Sequence, residues 1–256
     1  MGSYTYDEVV TEFEPIRRAV VLAAGVGSRL RPYTAERPKP LVEVAGRLLI
    51  EHTLAALKEA GIEEAVIVVG YRGDEIETAL KGFRGLGLKV VHNKDFRSGA
   101  SFSLAAARQS MGADSFLLAM SDHLLSRHLL AKLSRSLPSD ACRVAVDASP
   151  WPPDYVDEAT LVAFGPDRRV TRIGKGIRPF TALDAGAFAC TPEFWAAVDA
   201  SPQDCDLSTI FSLLAARGRL FAADITASPW YDVDTPADIP AAEAMLARRT
   251  PAEVAS

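Results

Sequence analysis

Apolar residues follow two alternating patterns along the first 150 residues of the chain. Short continuous apolar runs, such as those at 65–69 and 115–119, are typical of strands that are covered on both faces. Between the runs, apolar residues three or four positions apart, as at Ile50, Leu54 and Leu57, indicate amphipathic helices. This alternation predicts an α/β fold with a doubly wound, mostly parallel sheet. The predicted strands are 18–24, 65–69, 88–92, 115–119 and 143–147, and the predicted helices are 49–60, 103–111, 127–137 and one through Ile76 and Leu80.

The pattern changes after Pro150. Two short strand patterns, at 161–164 and 170–173, flank a Gly-Pro-Asp turn and predict a β-hairpin. Helical patterns return at 192–198 and 208–217. We interpret this half of the chain as a smaller α+β lid region rather than an independent domain.

The last helical pattern lies near the end of the chain, at 236–246. Asp234 or Thr235 can cap this helix, because short polar side chains accept hydrogen bonds from the first free N–H groups. Pro236 suits the first turn, where no N–H donor is needed.

The composition of the chain disfavours several classes of binding partner. The 256 residues carry a net charge of −5, which disfavours binding to nucleic acid or to an anionic membrane. The longest apolar runs, such as 19–24, are too short to span a bilayer, and the acidic first 15 residues do not resemble a signal peptide. Cys142, Cys190 and Cys205 are widely spaced and form no Cys-x-x-Cys pair, which disfavours zinc. We therefore expect a cytoplasmic protein without membrane insertion.

A loop of small residues leaves the first predicted strand, with the sequence Leu-Ala-Ala-Gly-Val-Gly-Ser-Arg-Leu at 22–30. Small residues let backbone N–H groups approach a phosphate closely. The segment is not a P-loop, because no Gly-Lys-Ser or Gly-Lys-Thr follows. It also departs from the dinucleotide-binding fingerprint, because Leu30 stands at the third glycine position.

The same region concentrates positive charge in an acidic protein. Arg29, Arg31, Arg37 and Lys39 lie within a short stretch, and the two prolines that flank Lys39 restrict its backbone. Backbone amides together with fixed cations suit a triphosphate, on which charge develops as pyrophosphate leaves. A solvated basic loop is the alternative interpretation.

Three carboxylates are candidates for a metal site. Asp122 follows the predicted strand 115–119, and ligands bind at the carboxyl ends of strands in this architecture. Asp232 and Asp234 lie two residues apart, so in a regular strand only one can face a given metal unless the backbone bends. Each aspartate alone could be a turn or helix-capping residue. Together they offer the oxygen ligands that a Mg²⁺–triphosphate requires.

These elements, in this order, resemble the sugar-phosphate nucleotidyltransferase superfamily over residues 18–246. The resemblance is most specific in the loop and in the Pro-Lys-Pro-Leu that follows it, at 22–41, and in Asp-Val-Asp-Thr-Pro at 232–236. It implies one nucleotidyltransferase domain over 17–250, after an N-terminal arm at 1–16. Its parts would be a nucleotide-binding half (17–150), an acceptor-binding lid half (151–235) and a C-terminal helix (236–250).

Within the superfamily the chain resembles the inositol-1-phosphate cytidylyltransferases. The similar segments are Met-Ser-Asp-His at 120–123, Gly-Ala-Ser-Phe-Ser-Leu at 99–104, and Arg-Ile-Gly-Lys at 172–175 followed by Leu-Asp-Ala-Gly at 183–186. In many sugar-specific relatives the metal-binding aspartate follows glycine, whereas Ser121 occupies that position here. Bifunctional members of the family also carry a membrane phosphotransferase domain, which this sequence lacks. We therefore expect a stand-alone cytidylyltransferase.

The resemblance implies a role for each candidate residue. Arg29 and Lys39 would be the cations that stabilise the triphosphate and the transition state, and Asp122 with Asp232 or Asp234 would bind Mg²⁺. The residues that would contact the nucleotide are Leu22, Ala23, Ala24, Gly25, Gly27, Ser28, Gly99, Ala100, Ser101 and Ser103. The residues that would bind the acceptor are His123, Lys175 and Asp184.

Structural roles remain open for some of these residues. Lys175 could be a surface lysine after the hairpin, and Ser101 or Ser103 could simply begin a helix. As functional residues, Lys175 would hold the acceptor phosphate and Asp184 would accept hydrogen bonds from a ring hydroxyl.

The implied reaction is an attack by an acceptor phosphate oxygen on the α-phosphorus of CTP, with release of pyrophosphate. The expected partners are CTP and a small phosphorylated metabolite, with inositol 1-phosphate giving CDP-inositol for inositol phospholipid or compatible-solute synthesis, and the sequence leaves a homo-oligomer open. One alternative is another acceptor, such as a sugar 1-phosphate, phosphocholine or a phosphonate. Others are transfer from UTP and a catalytically silent nucleotide-binding subunit.

Overall fold

The computed structural model describes residues 15–135 and 140–248. Strands and helices alternate through the first half of the chain, as the apolar pattern predicts. In the described ranges the strands are β1 (Arg18–Ala23), β2 (Glu43–Val44), β3 (Arg47–Leu48), β4 (Glu64–Val69), β5 (Gly87–His92), β6 (Phe116–Met120), β7 (His123–Leu125), β8 (Cys142–Asp147), β9 (Leu161–Phe164), β10 (Val170–Gly174), β11 (Ala182–Cys190), β12 (Leu220–Asp224) and β13 (Trp230–Asp232). The helices are α1 (Leu49–Glu59), α2 (Gly73–Leu80), α3 (Ala100–Met111), α4 (Arg127–Leu133), α5 (Pro153–Glu158), α6 (Pro192–Ala200), α7 (Leu207–Ala216) and α8 (Asp238–Ala247).

Most strands belong to one mixed sheet, whose main path has the order β10-β9-β11-β6-β1-β4-β5. In addition, β8 pairs with β11, and β12 pairs with β8. Strands β1, β4, β5 and β6 are parallel, whereas β11 is antiparallel to β6, β8 and β9. Among the described strands of this sheet, β10 and β11 alone therefore run against the common direction. The prediction of a doubly wound, mostly parallel α/β fold is confirmed.

Helices cover both faces of the sheet. Successive residues of a strand point to opposite sides, so each central strand contributes to two hydrophobic cores. In β1, Ala19 and Val21 belong to one hydrophobic core, and Val20 and Leu22 belong to another. The first core includes apolar residues of α1, α2 and α4, and the second includes those of α3, α6 and α7. This burial on two sides explains why the central strands are apolar throughout.

A small antiparallel sheet of β7 and β13 follows directly on the carboxyl end of β6. Its register places His123 opposite Asp232. Leu124 and Val233 anchor this sheet in a third apolar cluster, together with Leu30. The C-terminal part of the chain thereby reaches the edge of the main sheet where ligands bind in open α/β folds.

The second half of the chain extends the main sheet. The predicted hairpin is present as β9 and β10, and the two predicted helices are present as α6 and α7. The sequence did not predict β11, which lies between β6 and β9 in the sheet. The division of the chain into a nucleotide-binding half and an acceptor-binding lid stays a prediction.

The predicted start and cap of the C-terminal helix are wrong. The helix α8 begins at Asp238, two residues beyond Pro236. The Asp238 carboxylate accepts hydrogen bonds from the backbone N–H groups of Asp234 (3.0 Å) and Thr235 (2.6 Å). Asp234 cannot serve as the cap because its own carboxylate binds Lys39, and the Thr235 hydroxyl donates to Asp238 (2.8 Å).

Some predicted segments reach beyond the described residues. The helix predicted at 127–137 ends at Leu133, and residues 136–139 are not among those described. Most of the predicted N-terminal arm and residues 249–250 of the predicted C-terminal helix also lie outside the described ranges. Within these ranges, no helix has both the length and the apolar character that a membrane crossing needs.

Candidate active site

The loop that follows β1 is shaped by Gly27. This residue has a left-handed backbone conformation (φ 65°), and its carbonyl oxygen accepts a hydrogen bond from the Thr34 hydroxyl (2.9 Å). A Cβ atom at Gly27 would lie 2.5 Å from Cβ of Lys39, so only glycine lets the two segments approach this closely. Next, Ser28–Leu30 forms a single 3₁₀ turn whose Leu30 side chain is fully buried. The loop is therefore folded tightly against Lys39.

Lys39 lies at the centre of the site. Its side chain is buried, and its ammonium group donates hydrogen bonds to Asp122 Oδ2 (2.7 Å) and to Asp234 Oδ1 (2.6 Å). Burial alone would lower the pKa of Lys39. The negative charges of Asp122, Asp232 and Asp234 outweigh this effect and raise the pKa above its usual value. Lys39 is thus a fixed cation at neutral pH.

The pairing of β7 with β13 brings the three aspartates together. Asp122 directly precedes β7, and Asp232 is the last residue of β13. The β13 strand ends at Asp232, and the Val233 N–H group donates to the Asp122 carbonyl oxygen (3.1 Å), which keeps the following residues beside Asp122. Asp232 lies beside His123, whereas Asp234 contacts Lys39 and Arg29. Both carboxylates join the cluster around Lys39.

The charged groups of this cluster shift one another's pKa values. His123 Nδ1 lies 3.0 Å from Asp122 Oδ1 and 3.6 Å from Asp232 Oδ1. Burial alone would lower the pKa of His123, but the charges of Asp232 and Asp122 raise it to about 9. Burial raises the pKa of Asp232 to about 7, although His123 opposes the shift. Burial would also raise the pKa of Asp122, but Lys39 and His123 hold it well below its usual range.

The aspartate cluster has the chemistry of a divalent-cation site. Ligand atoms of Asp122, His123 and Asp232 all lie within 4.8 Å of one another. Oδ1 of Asp232 is buried and has no hydrogen-bond partner among the described residues. A bound cation would satisfy this atom, so the residues fit Mg²⁺ or a similar ion.

Arg29 extends the cluster towards solvent. Its guanidinium lies 2.7 Å from Asp234 Oδ2 and 4.0 Å from Glu158 Oε2, and the side chain is about half exposed. Arg37 instead pairs with Glu43 on the exposed surface. Of the loop cations Arg29, Arg31, Arg37 and Lys39, the structure thus places Arg29 and Lys39 in contact with the aspartates.

A cavity of about 470 Å³ opens over the phosphate loop. Its lining includes most of the residues that were predicted to contact a nucleotide, namely Leu22, Ala24, Gly25, Gly27, Ser28, Gly99, Ala100 and Ser103. Ala23 belongs to the hydrophobic core of the sheet, and the Ser101 hydroxyl donates to the carbonyl oxygen of Gln203. The structure therefore gives these two residues structural contacts.

A second cavity of about 680 Å³ lies beside the first. The candidate acceptor residues His123, Lys175 and Asp184 all line it. Burial raises the pKa of Asp184 to about 7, although the hydrogen bond from the Gly186 N–H group (2.8 Å) opposes this shift. The two cavities share the lining residues Arg29, Met120, Asp122 and Asp234.

Two adjacent cavities that meet at fixed cations and carboxylates are suited to joining two phosphorylated compounds. Comparison with known proteins agrees, since residues 19–199 match the MobA-like NTP transferase domain. The chain belongs to this family. It is a nucleotidyltransferase.

Two individual relatives are similar to most of this chain. The bifunctional IPC transferase and DIPP synthase of Rubrobacter xylanophilus is 39% identical over 237 residues, which cover 89% of this chain and 51% of that protein. The N-acetylmuramate alpha-1-phosphate uridylyltransferase of Caulobacter vibrioides is 32% identical over 253 residues, which cover 90% of this chain and 96% of that protein. The chain thus spans about half the length of the bifunctional relative.

A solved structure is also similar to this chain. The inositol-1-phosphate CTP transferase from T. maritima has a TM-score of 0.80 and 26% sequence identity, over 91% of this chain and 96% of that one. The predicted resemblance to the inositol-1-phosphate cytidylyltransferases is therefore confirmed.

Several residues that line the cavities of this nucleotidyltransferase are not among the candidate site residues from the sequence. Phe96 and Arg97 line the first cavity, where Phe96 packs so closely on Gly70 that a Cβ there would lie 2.5 Å away. The sequence signal for Phe96 and Arg97 is indirect. Both residues follow β5, whose carboxyl end lies at the same edge of the sheet as the carboxyl end of β1. Tyr155 and Trp230 line the second cavity. Trp230 lies on the same strand as Asp232, and this closeness to a predicted metal ligand could have indicated that Trp230 lies near the site.

Proposed function

We propose that this nucleotidyltransferase transfers CMP from CTP to inositol 1-phosphate and forms CDP-inositol and pyrophosphate. The observation that carries the proposal is the shared boundary of the two cavities, at which Arg29, Asp122 and Asp234 face both. The choice of CTP and inositol 1-phosphate is supported by the similarity to the inositol-1-phosphate CTP transferase from T. maritima. The 39% identity to the bifunctional IPC transferase supports the same choice.

The reaction would be an in-line displacement at the α-phosphorus of CTP. An oxygen of the acceptor phosphate forms a bond to this phosphorus. The bond between the phosphorus and the α–β bridging oxygen breaks, and pyrophosphate leaves with that oxygen and the bonding electrons. A phosphate monoester is already anionic near pH 7, so no residue needs to remove a proton. Catalysis then consists of holding two polyanions together and offsetting their repulsion.

Lys39 and Arg29 would offset this repulsion. Lys39 is buried, charged and held by two hydrogen bonds, so its position needs little reorganisation during the reaction. Arg29 lines both cavities and is free on its solvent side to contact phosphate. The backbone N–H groups of residues 25–28 would bind the phosphates of CTP.

Mg²⁺ would be held by Asp122 and Asp232 or Asp234. The fit rests on the closely spaced ligand atoms and on the unsatisfied Asp232 Oδ1. When bound, the ion would neutralise charge on phosphate oxygens and on the carboxylates that face them.

The second cavity would bind the acceptor. Lys175 lies directly after β10 and would contact the acceptor phosphate, while Asp184 on β11 would accept hydrogen bonds from ring hydroxyls. Trp230 and Tyr155 add apolar surface that can cover the C–H groups of a ring. These features suit a cyclic polyol phosphate, and the likeness to known proteins supports inositol among such compounds.

A pyrophosphate-release screen tests the proposal. CTP, UTP, ATP and GTP would each be combined with inositol 1-phosphate, glucose 1-phosphate, phosphocholine and 2-aminoethylphosphonate, in the presence of Mg²⁺. We expect the highest kcat/KM for CTP with inositol 1-phosphate. Product analysis by mass should show CDP-inositol in that reaction.

Three other results of the screen would each contradict a different part of the proposal. Equal kcat/KM for CTP and UTP would contradict the nucleotide assignment. A better acceptor than inositol 1-phosphate would contradict the acceptor assignment and leave nucleotidyl transfer intact. Binding of CTP without pyrophosphate release from any pair would indicate a silent nucleotide-binding subunit.

A further inference from the structure

The Asp147 carboxylate binds three N–H groups next to the second cavity. Asp147 is the last residue of β8 and is only 4% exposed. Its Oδ2 atom accepts hydrogen bonds from the indole N–H groups of Trp151 (3.1 Å) and Trp230 (2.8 Å). Its Oδ1 atom accepts a hydrogen bond from the Ser149 backbone N–H group (2.8 Å). A buried carboxylate with three donors holds all three groups firmly, because hydrogen bonds to a charged acceptor are strong.

The two tryptophans connect Asp147 to different walls of the acceptor cavity. Trp230 lines this cavity, and its ring lies nearly parallel to that of His123, at an angle of 10° and a centroid distance of 6.4 Å. Trp151 stacks on Tyr155, with centroids 4.5 Å apart. Tyr155 belongs to α5 and also lines the acceptor cavity. Strand β13 and helix α5 are thus tied to one carboxylate.

We propose that Asp147 is a positioning residue for the acceptor, because it fixes these two walls relative to each other. The inference rests on the proposed function, which assigns the second cavity to the acceptor. Asp147 itself lines a neighbouring cavity of about 530 Å³, which Trp151 and Trp230 also line. It therefore acts through the two indole rings and not by contact with the reacting groups.

The variant Asp147→Asn tests the proposal with little change in shape. The amide carries no charge and replaces one acceptor oxygen by an N–H donor. At least one of the three N–H groups then loses its partner, and the walls can separate. We expect the KM of the acceptor to rise by about tenfold, which is the usual effect of leaving a buried donor unsatisfied. The KM of CTP and kcat should change by less than about twofold.

Asp224→Asn is the matched control. Asp224 ends β12, which pairs with β8, and its carboxylate accepts hydrogen bonds from the backbone N–H and hydroxyl groups of Thr226 and from the Arg168 guanidinium. This variant weakens a similar turn at the neighbouring strand end without contact to either tryptophan. We expect it to leave the KM of the acceptor unchanged.

The variant Trp230→Phe supplies an independent measurement, because it removes the indole donor and retains an aromatic ring. We expect it to raise the KM of the acceptor as well. The double variant with Asp147→Asn should be clearly less impaired than the product of the two single effects, because both act on the same hydrogen bond. Thermal unfolding of each variant establishes that it is folded.

The results separate this proposal from the proposed function. The acceptor used is the one with the highest kcat/KM in the screen, so failure of inositol 1-phosphate is seen with the parent enzyme alone. Equal rises in the KM of CTP and of the acceptor would overturn the positioning role. So would an unchanged KM of the acceptor in Asp147→Asn, multiplicative effects in the double variant, or an equal effect of Asp224→Asn.

Discussion

Lys39 is a buried lysine that keeps its charge. The carboxylates that hold it are each about one quarter exposed, and they leave the ammonium group on the wall of the nucleotide cavity. Desolvation usually favours the neutral form of a lysine. Here the neighbouring carboxylates reverse that preference. A cation of this kind can stabilise charge on a leaving pyrophosphate without a change of position.

Replacing Lys39 should therefore remove much of the catalysis. We expect Lys39→Ala to lower kcat by at least about 100-fold, the loss that follows removal of one preorganised electrostatic group. Steady-state pyrophosphate release with CTP and the acceptor measures this loss. The chain should stay folded, because Asp122 keeps its contact with His123, Asp234 keeps its ion pair with Arg29, and both carboxylates are partly exposed.

Lys89→Ala is a suitable control for this substitution, since Lys89 is an exposed lysine of β5. Its turnover should equal that of the parent enzyme. Near-parental turnover of a folded Lys39→Ala enzyme would show that Lys39 is not the catalytic cation.

The chemically important residues were more predictable than their surroundings. Arg29, Lys39 and Asp122 lie in motifs that follow apolar strands, and strand ends converge in this fold. Asp147 gave no such signal, although it also ends a strand, because its partner Trp230 lies 83 positions away in the sequence. Residues defined by such partners cannot be found from local patterns.

At the scale of elements, the loop after β1 depends on one glycine. Gly27 and Gly46 both have left-handed backbone conformations, with φ of 65° and 73°. An added Cβ at Gly27 would meet Cβ of Lys39 at 2.5 Å, whereas at Gly46 it would meet no described atom within 4 Å. Substitution by alanine strains the backbone at both positions, but it displaces Lys39 only at Gly27. Comparison of the two variants therefore distinguishes the effect of backbone strain from the effect of moving Lys39.

We expect Gly27→Ala to lower kcat by about 10- to 100-fold, because a shift of about 1 Å in a catalytic group can have an effect of this size. Gly46→Ala should lose about 1–2 kcal/mol of unfolding free energy from the left-handed conformation and retain its kcat. Denaturant unfolding and steady-state kinetics on both variants check these expectations. Similar kcat values for the two variants would contradict the role of the tight loop.

The element pattern could be predicted where strands are buried on both faces. Strands β1, β4 and β6 were predicted in this way because every residue facing either core is apolar. The sequence did not reveal β11, whose residues Ala-Leu-Asp-Ala-Gly-Ala-Phe-Ala-Cys are mostly small. Its place in the sheet depends on pairing with β6, β8 and β9, which are far away in sequence.

At the scale of the whole molecule, the site exists because two distant parts of the chain meet. Residues up to Asp122 contribute the phosphate loop, Lys39 and the first carboxylate, and β13 with the residues that follow it contributes Asp232 and Asp234. The sequence predicted both groups separately. Their contact depends on the β7–β13 sheet, which neither motif predicts by itself.

The shared boundary of the two cavities predicts that the two proposed substrates, CTP and a phosphorylated acceptor, influence each other's binding. CTP and a phosphate monoester both carry several negative charges near pH 7. Two unit charges 4 Å apart repel by about 4 kcal/mol at an effective dielectric constant of 20. The boundary adds the carboxylates of Asp122 and Asp234, which Lys39, Arg29 and His123 oppose only in part. Without a divalent cation the second substrate should therefore bind poorly.

Calorimetry with an unreactive CTP analogue, in which a methylene group replaces the α–β bridging oxygen, measures this coupling. We expect the acceptor to bind the enzyme–analogue complex at least about tenfold more tightly with Mg²⁺ than with EDTA, since neutralising a single charge contact can supply 1.4 kcal/mol. Asp122→Ala should show little of this gain, because it removes a carboxylate that would hold the ion. Unphosphorylated inositol should bind with the same affinity in both conditions, because it carries no charge to be screened. Equal affinity of the phosphorylated acceptor with Mg²⁺ and with EDTA would contradict the proposal that the aspartates hold a metal ion which offsets this repulsion.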